Sequence, residues 1–452
     1  MPPKSPVLPR TKAAPSSGQV WLVTVGDELL AGDIHDTNST FLAQQCRAIG
    51  ATVIRTVSVR DRIDEIAEVL REAASRGVCA CLVSGGLGPT TDDLTTEAIA
   101  VAAGVEVRRD AAALERLEAK FRAFGYDNMP LSNIKQADFP QGAEILANPI
   151  GSAEGFMVRI DGCRVFSMPG VPRELRKMTT EQVLPRLVEA WALREVPRRI
   201  YRVLGHGESA VAQRIEGIVA SARTQSPGLA TMFVHYRAAT PQVSIILEGV
   251  AADSEPDAKG ATADELASLD AAMIDALQPG IYGIGEADLA TRVVGAASAA
   301  GVSLVVAESC TGGGLGAALS AVPGASACFV GGVVGYNNRI KVELLGVPQS
   351  VLDEHGAVSE PVARAMAKGG CVATGADLCV AITGIAGPGG GTPEKPVGTV
   401  DVAVSDGSET TYKRLKIRGD RATVQRASAQ WALKLVWDRL VAKGVASIVS
   451  LP

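Results

Sequence analysis

The stretch VSLVVAESCTGGG, residues 302–314, indicates both the fold of the last third of the chain and its candidate chemistry. Residues 302–306 form a β-branched apolar run that predicts a buried strand, and a helix pattern begins at 315. A hydroxyl on a tight strand-to-helix turn lies where backbone N–H groups converge and where negative charge is favoured. Ser309 therefore fits a nucleophilic serine with an oxyanion site.

The base that would activate Ser309 is not a histidine. None of the four histidines stands at a spacing that proposes a triad, and the turn lacks the Gly-x-Ser-x-Gly pattern. Lys341 is the candidate base; it must be neutral to accept a proton, which requires burial or a neighbouring cation such as Arg339. Tyr336 is a candidate to relay the proton or to orient the base. The competing interpretations are a solvated surface lysine and a serine that only caps the helix.

Length and composition predict a multidomain α/β protein. A chain of 452 residues is longer than a single hydrophobic core usually accommodates, so more than one domain is expected. Abundant Ala, Gly and Val with few aromatics favour α/β layers. The net charge of −5, without a dense basic run, gives no reason to expect nucleic acid as a partner. Eight scattered cysteines without a disulfide framework predict a cytoplasmic location. Residues 1–18 are predicted to be a disordered tail, not a signal peptide.

One segment, residues 309–338, contains no charged side chain and is long enough to span a bilayer. Its eight glycines, one proline and several polar residues make it a poor membrane helix. We therefore expect a turn, a helix and a strand at 328–334, buried within a soluble α/β domain that has no membrane partner.

Strand and helix patterns divide the chain into three blocks. They alternate over residues 19–190, which is typical of parallel βαβ winding. A small α+β domain is predicted over 196–285, with a long helix at 258–277, and a second α/β domain over 286–445. The predicted fold class is α/β, with two three-layer α/β domains with parallel-rich sheets joined by the small α+β domain.

Four loops of the first block follow strand ends. The most informative is SGGLGPTTDDL at 84–94, where Gly85, Gly86 and Gly88 let backbone N–H groups approach a phosphate before a helix begins. In doubly wound sheets ligands gather at the carboxyl ends of strands, so the four loops are expected to form one cleft. These loops are residues 26–30, 36–39 with Asn38, 84–94 with Thr90, and 165–174 with Gly170.

Two aspartates, Asp92 and Asp93, stand beside this glycine cradle. Two carboxylates next to a phosphate site suggest a divalent ion that bridges protein and substrate. The alternative is that both aspartates cap the helix and favour its dipole.

These motifs together resemble the CinA family over residues 19 to 441. In the last block the similarity, to nicotinamide mononucleotide deamidases, lies in ESCTGG (308–313), Tyr336 with Lys341, GAVS (356–359), TGIAGPGGGT (383–392) and GDR (419–421). In the first block it lies in GDELL (26–30), DTNS (36–39), GGLGPT (85–90) with Asp92 and Asp93, and PGVP (169–172). The family places a small KH-like domain between a molybdopterin-binding-like domain and the deamidase.

For the last block, the resemblance implies an amidohydrolase that converts nicotinamide mononucleotide to nicotinic acid mononucleotide and ammonia without a cofactor. Thr311 is then an orienting hydroxyl, and Glu308 faces the cationic ring or holds Lys341. Arg421 and the glycine loop at 387–391 are expected at the phosphate; the alternatives are a helix cap and a mobile lid. The implied ligands are pyridine and adenine nucleotides, and the implied assembly is a homodimer. The expected substrate-binding residues are Gly312, Gly313, Thr383, Gly384, Gly387, Gly389 and Arg421.

For the first block, the resemblance implies an ADP-ribose pyrophosphatase with Mg²⁺, Mn²⁺ or Co²⁺ near Asp92 and Asp93. The alternative is a non-catalytic domain that binds a nucleotide or a pterin. Three departures from the family pattern occur in this block, and the first two bear on its activity. Asp61 stands where an acidic pair is usual, Glu154 where proline is usual, and Met168 where leucine is usual.

Overall fold

The computed structural model describes residues 18–249 and 261–449. The chain divides into two compact units, one of residues up to 197 and one of residues 198–249 together with those from 261 onward. The predicted tail lies, apart from Gly18, outside the described residues, and so does the predicted helix start at 258.

The first unit is built on a six-stranded sheet. Its strands are β1 Gln19–Val25, β2 Thr52–Val59, β3 Ala80–Ser84, β4 Val107–Arg109, β5 Asp138–Pro140, β6 Glu144–Leu146, β7 Gly155–Ile160 and β8 Cys163–Met168. The sheet order is β2-β1-β3-β8-β7-β6, while β4 and β5 form a separate ribbon. The pairs β1–β2, β1–β3 and β3–β8 are parallel, which confirms the predicted winding, and β7 and β6 add antiparallel.

Helices cover both faces of this sheet. Along β1, Trp21 belongs to the core that includes Ile66, and Leu22 belongs to the opposite core with Leu42, since successive strand residues point to opposite faces. Burial on both faces explains the nearly continuous apolar run of β1. The helices are α1 Asp27–Ala31, α2 Thr37–Ala48, α3 Ile63–Ser75, α4 Thr95–Ala103, α5 Ala111–Ala123, α6 Pro172–Met178 and α7 Leu184–Trp191.

The second unit begins with a small α+β part, which the sequence analysis treats as a domain of its own but which belongs to the same compact unit as the following α/β sheet. An antiparallel sheet of order β10-β11-β9-β12 packs against two long helices. The second of these starts at a capping box, in which Thr262 and Glu265 each accept a hydrogen bond from the other's backbone N–H. The elements are β9 Arg198–Leu204, α8 Glu208–Gln225, α9 Pro227–Ala230, β10 Phe233–Ala239, β11 Gln242–Glu248, α10 Ala263–Leu277 and β12 Ile281–Ile284.

A second α/β sheet completes this unit. Its strands are β13 Leu304–Glu308, β14 Phe329–Val334, β15 Leu378–Gly384, β16 Thr399–Ser405 and β17 Thr410–Lys416. Its helices are α11 Leu289–Ala300, α12 Gly314–Ser320, α13 Asn338–Leu345, α14 Gln349–His355, α15 Glu360–Thr374 and α16 Arg421–Ala442. The order is β14-β13-β15-β16-β17, with β14, β13 and β15 parallel and the last two strands antiparallel to their neighbours.

The second sheet lies between two layers of helices, and successive residues of β13 pack against opposite layers. Val305 packs with Val362 and Met366 of α15 on one face, and Val306 packs with helices α11 and α16 on the other. Two successive antiparallel pairings turn β17 parallel to β15, so α16 begins at the edge where β13, β14 and β15 end. The nucleophile turn, the loops after β14 and β15, and the start of α16 therefore share one sheet edge.

None of the helices in the described ranges combines the length and the apolar character that a membrane crossing requires. The uncharged segment 309–338 contains the seven-residue helix α12 and the strand β14, as its composition predicts.

Candidate active site

Ser309 lies on a sharp turn directly after β13. Its backbone N–H donates to the carbonyl oxygen of Ile382 at 2.9 Å, which fixes the turn against β15. Gly312 and Gly313 adopt φ values of +62° and +100°, a left-handed conformation that favours glycine. The two glycines let the chain reverse into α12 and leave Ser309 largely buried at the strand end.

The side chain of Glu308 holds this turn by hydrogen bonds to its backbone. Its side chain is fully buried and accepts hydrogen bonds from the backbone N–H groups of Gly313, Leu315 and Gly316, at 3.1, 3.0 and 2.8 Å. These N–H groups stabilise the carboxylate without a cationic side chain. The structure thus engages Glu308 with the turn itself, whereas the sequence predicted a role towards the pyridine ring or Lys341.

Two successive backbone N–H groups of the turn form no bond to another described residue. Within the described ranges, the N–H groups of Cys310 and Thr311 donate to no other residue. The hydroxyl of Thr311 is also buried and unpaired there. A pair of adjacent N–H groups beside a nucleophile is the arrangement that stabilises a tetrahedral oxyanion.

Lys341 is almost completely buried at the start of α13. Its amine is 3.5 Å from the carbonyl oxygen of Tyr336 and 3.3 Å from Oδ1 of Asn338, and it forms no ion pair with any described residue. Burial lowers the pKa of Lys341, because a charged amine loses its hydration. The alternative of a solvated surface lysine is wrong.

Arg339 does not contribute to this lowered pKa, contrary to the sequence prediction. It is exposed and pairs with Glu343 one helical turn later. Residues two positions apart on a helix lie on opposite sides, so a buried Lys341 leaves Arg339 facing outward.

Lys341 lies close to the nucleophile turn. Burial raises the pKa of the Cys310 thiol to about 12, and the positive charges of Arg421 and Lys341 oppose this rise. That mutual influence requires both cations to lie near the residue that follows Ser309.

Arg421 joins two of the predicted site segments. One of its Nη atoms donates to the hydroxyl of Tyr336 at 2.7 Å, and the other donates to the carbonyl oxygen of Gly387 at 2.9 Å. Gly389 has open space around its Cα, whereas a side chain at Gly384 would contact Val400. The glycine loop is thus anchored at Gly387 and accessible two residues later.

Thr383 plays a supporting part. Its buried hydroxyl donates to the carbonyl oxygen of Ala357 at 2.8 Å and so ties β15 to the GAVS segment.

A residue that the sequence did not single out is Gln425, whose Nε2 donates to the carbonyl oxygen of Cys310 at 2.8 Å. Its only sequence signal is its position four residues after Arg421, on the same side of α16.

In the first unit, Asn38 connects the predicted loops. Its Nδ2 atom donates to Oγ of Ser84 at 2.9 Å and to the carbonyl oxygen of Gly170 at 2.8 Å, while its Oδ1 is buried and unpaired among the described residues. A Cβ atom on Gly85 would lie 2.3 Å from the carbonyl oxygen of Val25. The three loops are therefore in close contact at the carboxyl ends of β1, β3 and β8.

The polar groups of the glycine loop are mostly satisfied within it. Oδ2 of Asp93 accepts from the backbone N–H and the hydroxyl of Thr90, at 2.8 and 2.5 Å. Gly88 leaves room for that carboxylate, since a Cβ there would approach it to 2.4 Å. Lys135 donates to the carbonyl oxygens of Thr90 and Asp93. The side chain of Asp93 thus stabilises the loop through Thr90; it does not cap α4, whose N-cap Leu94 has no side-chain capping bond, so the capping alternative is wrong for Asp93.

Acidic side chains nevertheless gather near this loop. Asp61 accepts from the N–H of Asp27 at 3.0 Å; burial raises the pKa of Asp61, and the charges of Glu28, Asp27 and Asp92 raise it further. Oxygen donors suit Mg²⁺ or Mn²⁺. Within residues 18–249 and 261–449, however, no three His, Cys, Asp or Glu side chains lie close enough to hold one ion. The residues present do not form a complete ligand set.

The unusual Glu154 has a structural partner. It is 6% exposed, and its two carboxylate oxygens accept from Nε and Nη2 of Arg116 at 2.9 and 2.7 Å. The Met168 sulfur accepts from the hydroxyl of Thr179. Both departures from the family pattern are thus accommodated by local packing.

Comparison with family models gives two matches. Residues 286–440 match the CinA C-terminal domain, and residues 21–189 match the probable molybdopterin binding domain.

Two full-length relatives agree with these matches. A CinA-like protein of an Anaeromyxobacter species is 41% identical and covers 92% of this chain and 98% of its own. A CinA-like protein of Myxococcus xanthus is 39% identical and covers 94% of this chain and 99% of its own. The crystal structure of CinA from Thermoplasma acidophilum is 31% identical over 37% of this chain and 99% of its own, with a TM-score of 0.35. The chain therefore belongs to the CinA family.

Proposed function

We propose that the second unit hydrolyses the carboxamide of nicotinamide mononucleotide to give nicotinic acid mononucleotide and ammonia. The observation that carries this proposal is Lys341, an amine that is buried without an ion pair among the described residues, close to the turn that bears Ser309. Burial favours the neutral amine, which is the form that accepts a proton from a hydroxyl. The deamidase-like motifs and the match to the CinA C-terminal domain support the substrate.

The reaction proceeds through a serine ester. Ser309 Oγ attacks the carboxamide carbon while its proton passes to Lys341 Nζ, and the carbonyl oxygen becomes an oxyanion that accepts from the N–H groups of Cys310 and Thr311. The Lys341 ammonium then donates its proton to the departing nitrogen, which leaves as ammonia. Water, deprotonated by Lys341, hydrolyses the ester to the acid and restores Ser309.

Supporting residues keep these groups in place. Gln425 holds the carbonyl of Cys310, and this carbonyl belongs to the same rigid peptide unit as the N–H of Thr311. Glu308 fixes the N–H groups that follow. Arg421 orients the hydroxyl of Tyr336, which faces the loop at Gly387.

Ammonia release from nicotinamide mononucleotide by the full-length chain tests this proposal. We expect Ser309→Ala to lower kcat by about three orders of magnitude or more, because the nucleophile is lost. Ser320→Ala, at an exposed position of α12, is the matched control and should retain wild-type turnover. Wild-type activity should survive a chelator. Near wild-type turnover by Ser309→Ala would exclude the serine mechanism.

A second activity is proposed for the first unit: cleavage of the pyrophosphate of ADP-ribose. The observation in its favour is the group of carboxylates around Asp61, beside a glycine loop suited to phosphate. AMP formation from ADP-ribose should require Mg²⁺, Mn²⁺ or Co²⁺ and should fall with Asp92→Asn, while deamidation is unchanged. If no cleavage occurs with any of these ions, the first unit is a nucleotide- or pterin-binding domain without this activity.

A further inference from the structure

A cavity of about 830 Å³ lies next to the nucleophile turn and the first half of α16. Its walls come from three places: the turn between β10 and β11, the residues from Thr311 to Ala318, and the residues from Arg418 to Gln430. The volume is within the range of roughly 300–1,000 Å³ that small-molecule sites occupy. The cavity is therefore large enough for part or all of a nucleotide.

The buried end of the cavity carries an unsatisfied hydroxyl. Thr311 is 6% exposed, lines the cavity, and its Oγ1 has no hydrogen-bond partner among the described residues. A buried hydroxyl without a partner costs free energy, so such groups are normally paired with protein, water or ligand. Thr311 stands two residues after Ser309, so this part of the cavity borders the nucleophile turn.

The charge of the lining is positive. Arg418 and Arg426 line the cavity, and no Asp or Glu is among the lining residues. Arg418 has no carboxylate partner in the described ranges, and Arg426 makes only a 3.4 Å contact to the hydroxyl of Thr423. Asp420, close to Arg426, already accepts from the N–H of Thr423 as the cap of α16. Two available guanidinium groups suit a phosphate.

The small α+β part forms one wall of the cavity. Thr240 and Pro241 stand at the turn between β10 and β11, and Gln242 is held against α16 by a hydrogen bond to Gln430. The hydroxyl of Tyr282 donates to the same Gln242 side chain at 3.3 Å. The wall is thus fixed to the helix that also carries Gln425 and Arg426.

We propose that this cavity receives the phosphate-bearing end of the substrate nucleotide, with Arg418 and Arg426 at the phosphate and the β10–β11 turn as its outer wall. The inference rests on the proposed deamidase function. It assigns the phosphate to this cavity instead of to Arg421, whose guanidinium already holds Tyr336 and Gly387.

The kinetic test compares nicotinamide mononucleotide with nicotinamide riboside, which lacks the phosphate. With the mononucleotide, Arg418→Gln and Arg426→Gln should each raise KM about tenfold or more and leave kcat nearly unchanged. With the riboside, kcat/KM should not change. Arg237→Gln, at an exposed position of β10 outside the cavity, is the control and should match wild type. Thr240→Trp, which fills the cavity from its outer wall, should also raise KM for the mononucleotide.

Two kinetic outcomes would overturn the proposal. Unchanged KM values in both arginine variants would mean that the phosphate binds elsewhere. Equal losses with mononucleotide and riboside would mean that the arginines shape the nucleophile turn and do not contact phosphate.

Calorimetry with nicotinic acid mononucleotide separates this proposal from the deamidase function. If the wild-type chain releases no ammonia, the deamidase assignment fails, but the binding arm still decides the cavity. An affinity at least tenfold weaker in the double variant Arg418→Gln/Arg426→Gln supports the anion site, and an unchanged affinity overturns it.

Discussion

The nucleophile turn after β13 and the glycine loop after β3 follow the same plan, a parallel strand that enters a glycine-rich turn and then a helix. Their polar groups differ. In the glycine loop, Asp93 is bonded to Thr90, and Thr95 donates to the carbonyl oxygen of Gly85. In the nucleophile turn, the N–H of Cys310 donates to no other described residue, and the N–H and hydroxyl of Thr311 lack partners among the described residues. The comparison teaches that one sequence pattern can produce two turns whose polar groups are satisfied to different degrees, which the pattern itself does not reveal.

The largest expected effect comes from replacing the lysine beside each turn. Lys341→Met keeps the length and the burial of the side chain but removes the proton acceptor. We expect kcat for deamidation to fall by about three orders of magnitude, with the fold unchanged by circular dichroism. Lys135→Met, at the lysine beside the glycine loop, is the counterpart and should leave deamidation at the wild-type level. A similar loss in both variants would remove the distinction.

The pH dependence of deamidation reports the state of Lys341. Because the neutral amine is the active form, kcat should rise with pH and level off above the pKa of Lys341. Burial lowers that pKa, so the midpoint should lie below the ordinary lysine value of about 10.4. The measurement is a pH profile of kcat, with thermal unfolding as the control for stability. A midpoint at or above the ordinary value would contradict a neutral buried amine.

The smallest expected effect is the difference in stability lost when one glycine of each turn is replaced by alanine. Both Gly86 and Gly312 have positive φ, so alanine costs about 1–2 kcal/mol of backbone strain at either position. At Gly86 the new Cβ would also lie 2.1 Å from Oγ1 of Thr95, which is held by its bond to Gly85, whereas Gly312 has open space. We expect Gly86→Ala to destabilise the chain by about 1–3 kcal/mol more than Gly312→Ala, measured by urea unfolding. Equal losses would mean that the glycine loop relaxes freely.

The sequence predicts the frame of the C-terminal site well, because the frame depends on local patterns. The apolar run at 302–306 and the glycines that follow correspond to β13 and its turn, and the last helix begins at the predicted Arg421. Strand β17, with the sequence TTYKRLK, was not predicted because most of its side chains are exposed and it has no continuous apolar run.

The errors at the site concern contacts that no local pattern contains. Glu308 was expected to face a cation, but it binds backbone N–H groups of the turn that follows it. Gln425 reaches Cys310 across 115 positions of sequence. The sequence offered both burial and Arg339 as causes of a lowered pKa of Lys341; burial is the cause, and Arg339 is wrong because the packing of α13 leaves it exposed.

The central claim is that Ser309 forms an ester with the substrate. Rapid quenching of the wild-type chain with nicotinamide mononucleotide, followed by peptide mass spectrometry, tests this most directly. The account predicts a nicotinic acid mononucleotide acyl group on the peptide that contains Ser309, formed together with the first equivalent of ammonia and absent from Ser309→Ala. An unmodified Ser309 peptide, together with wild-type ammonia release from Ser309→Ala, would contradict it.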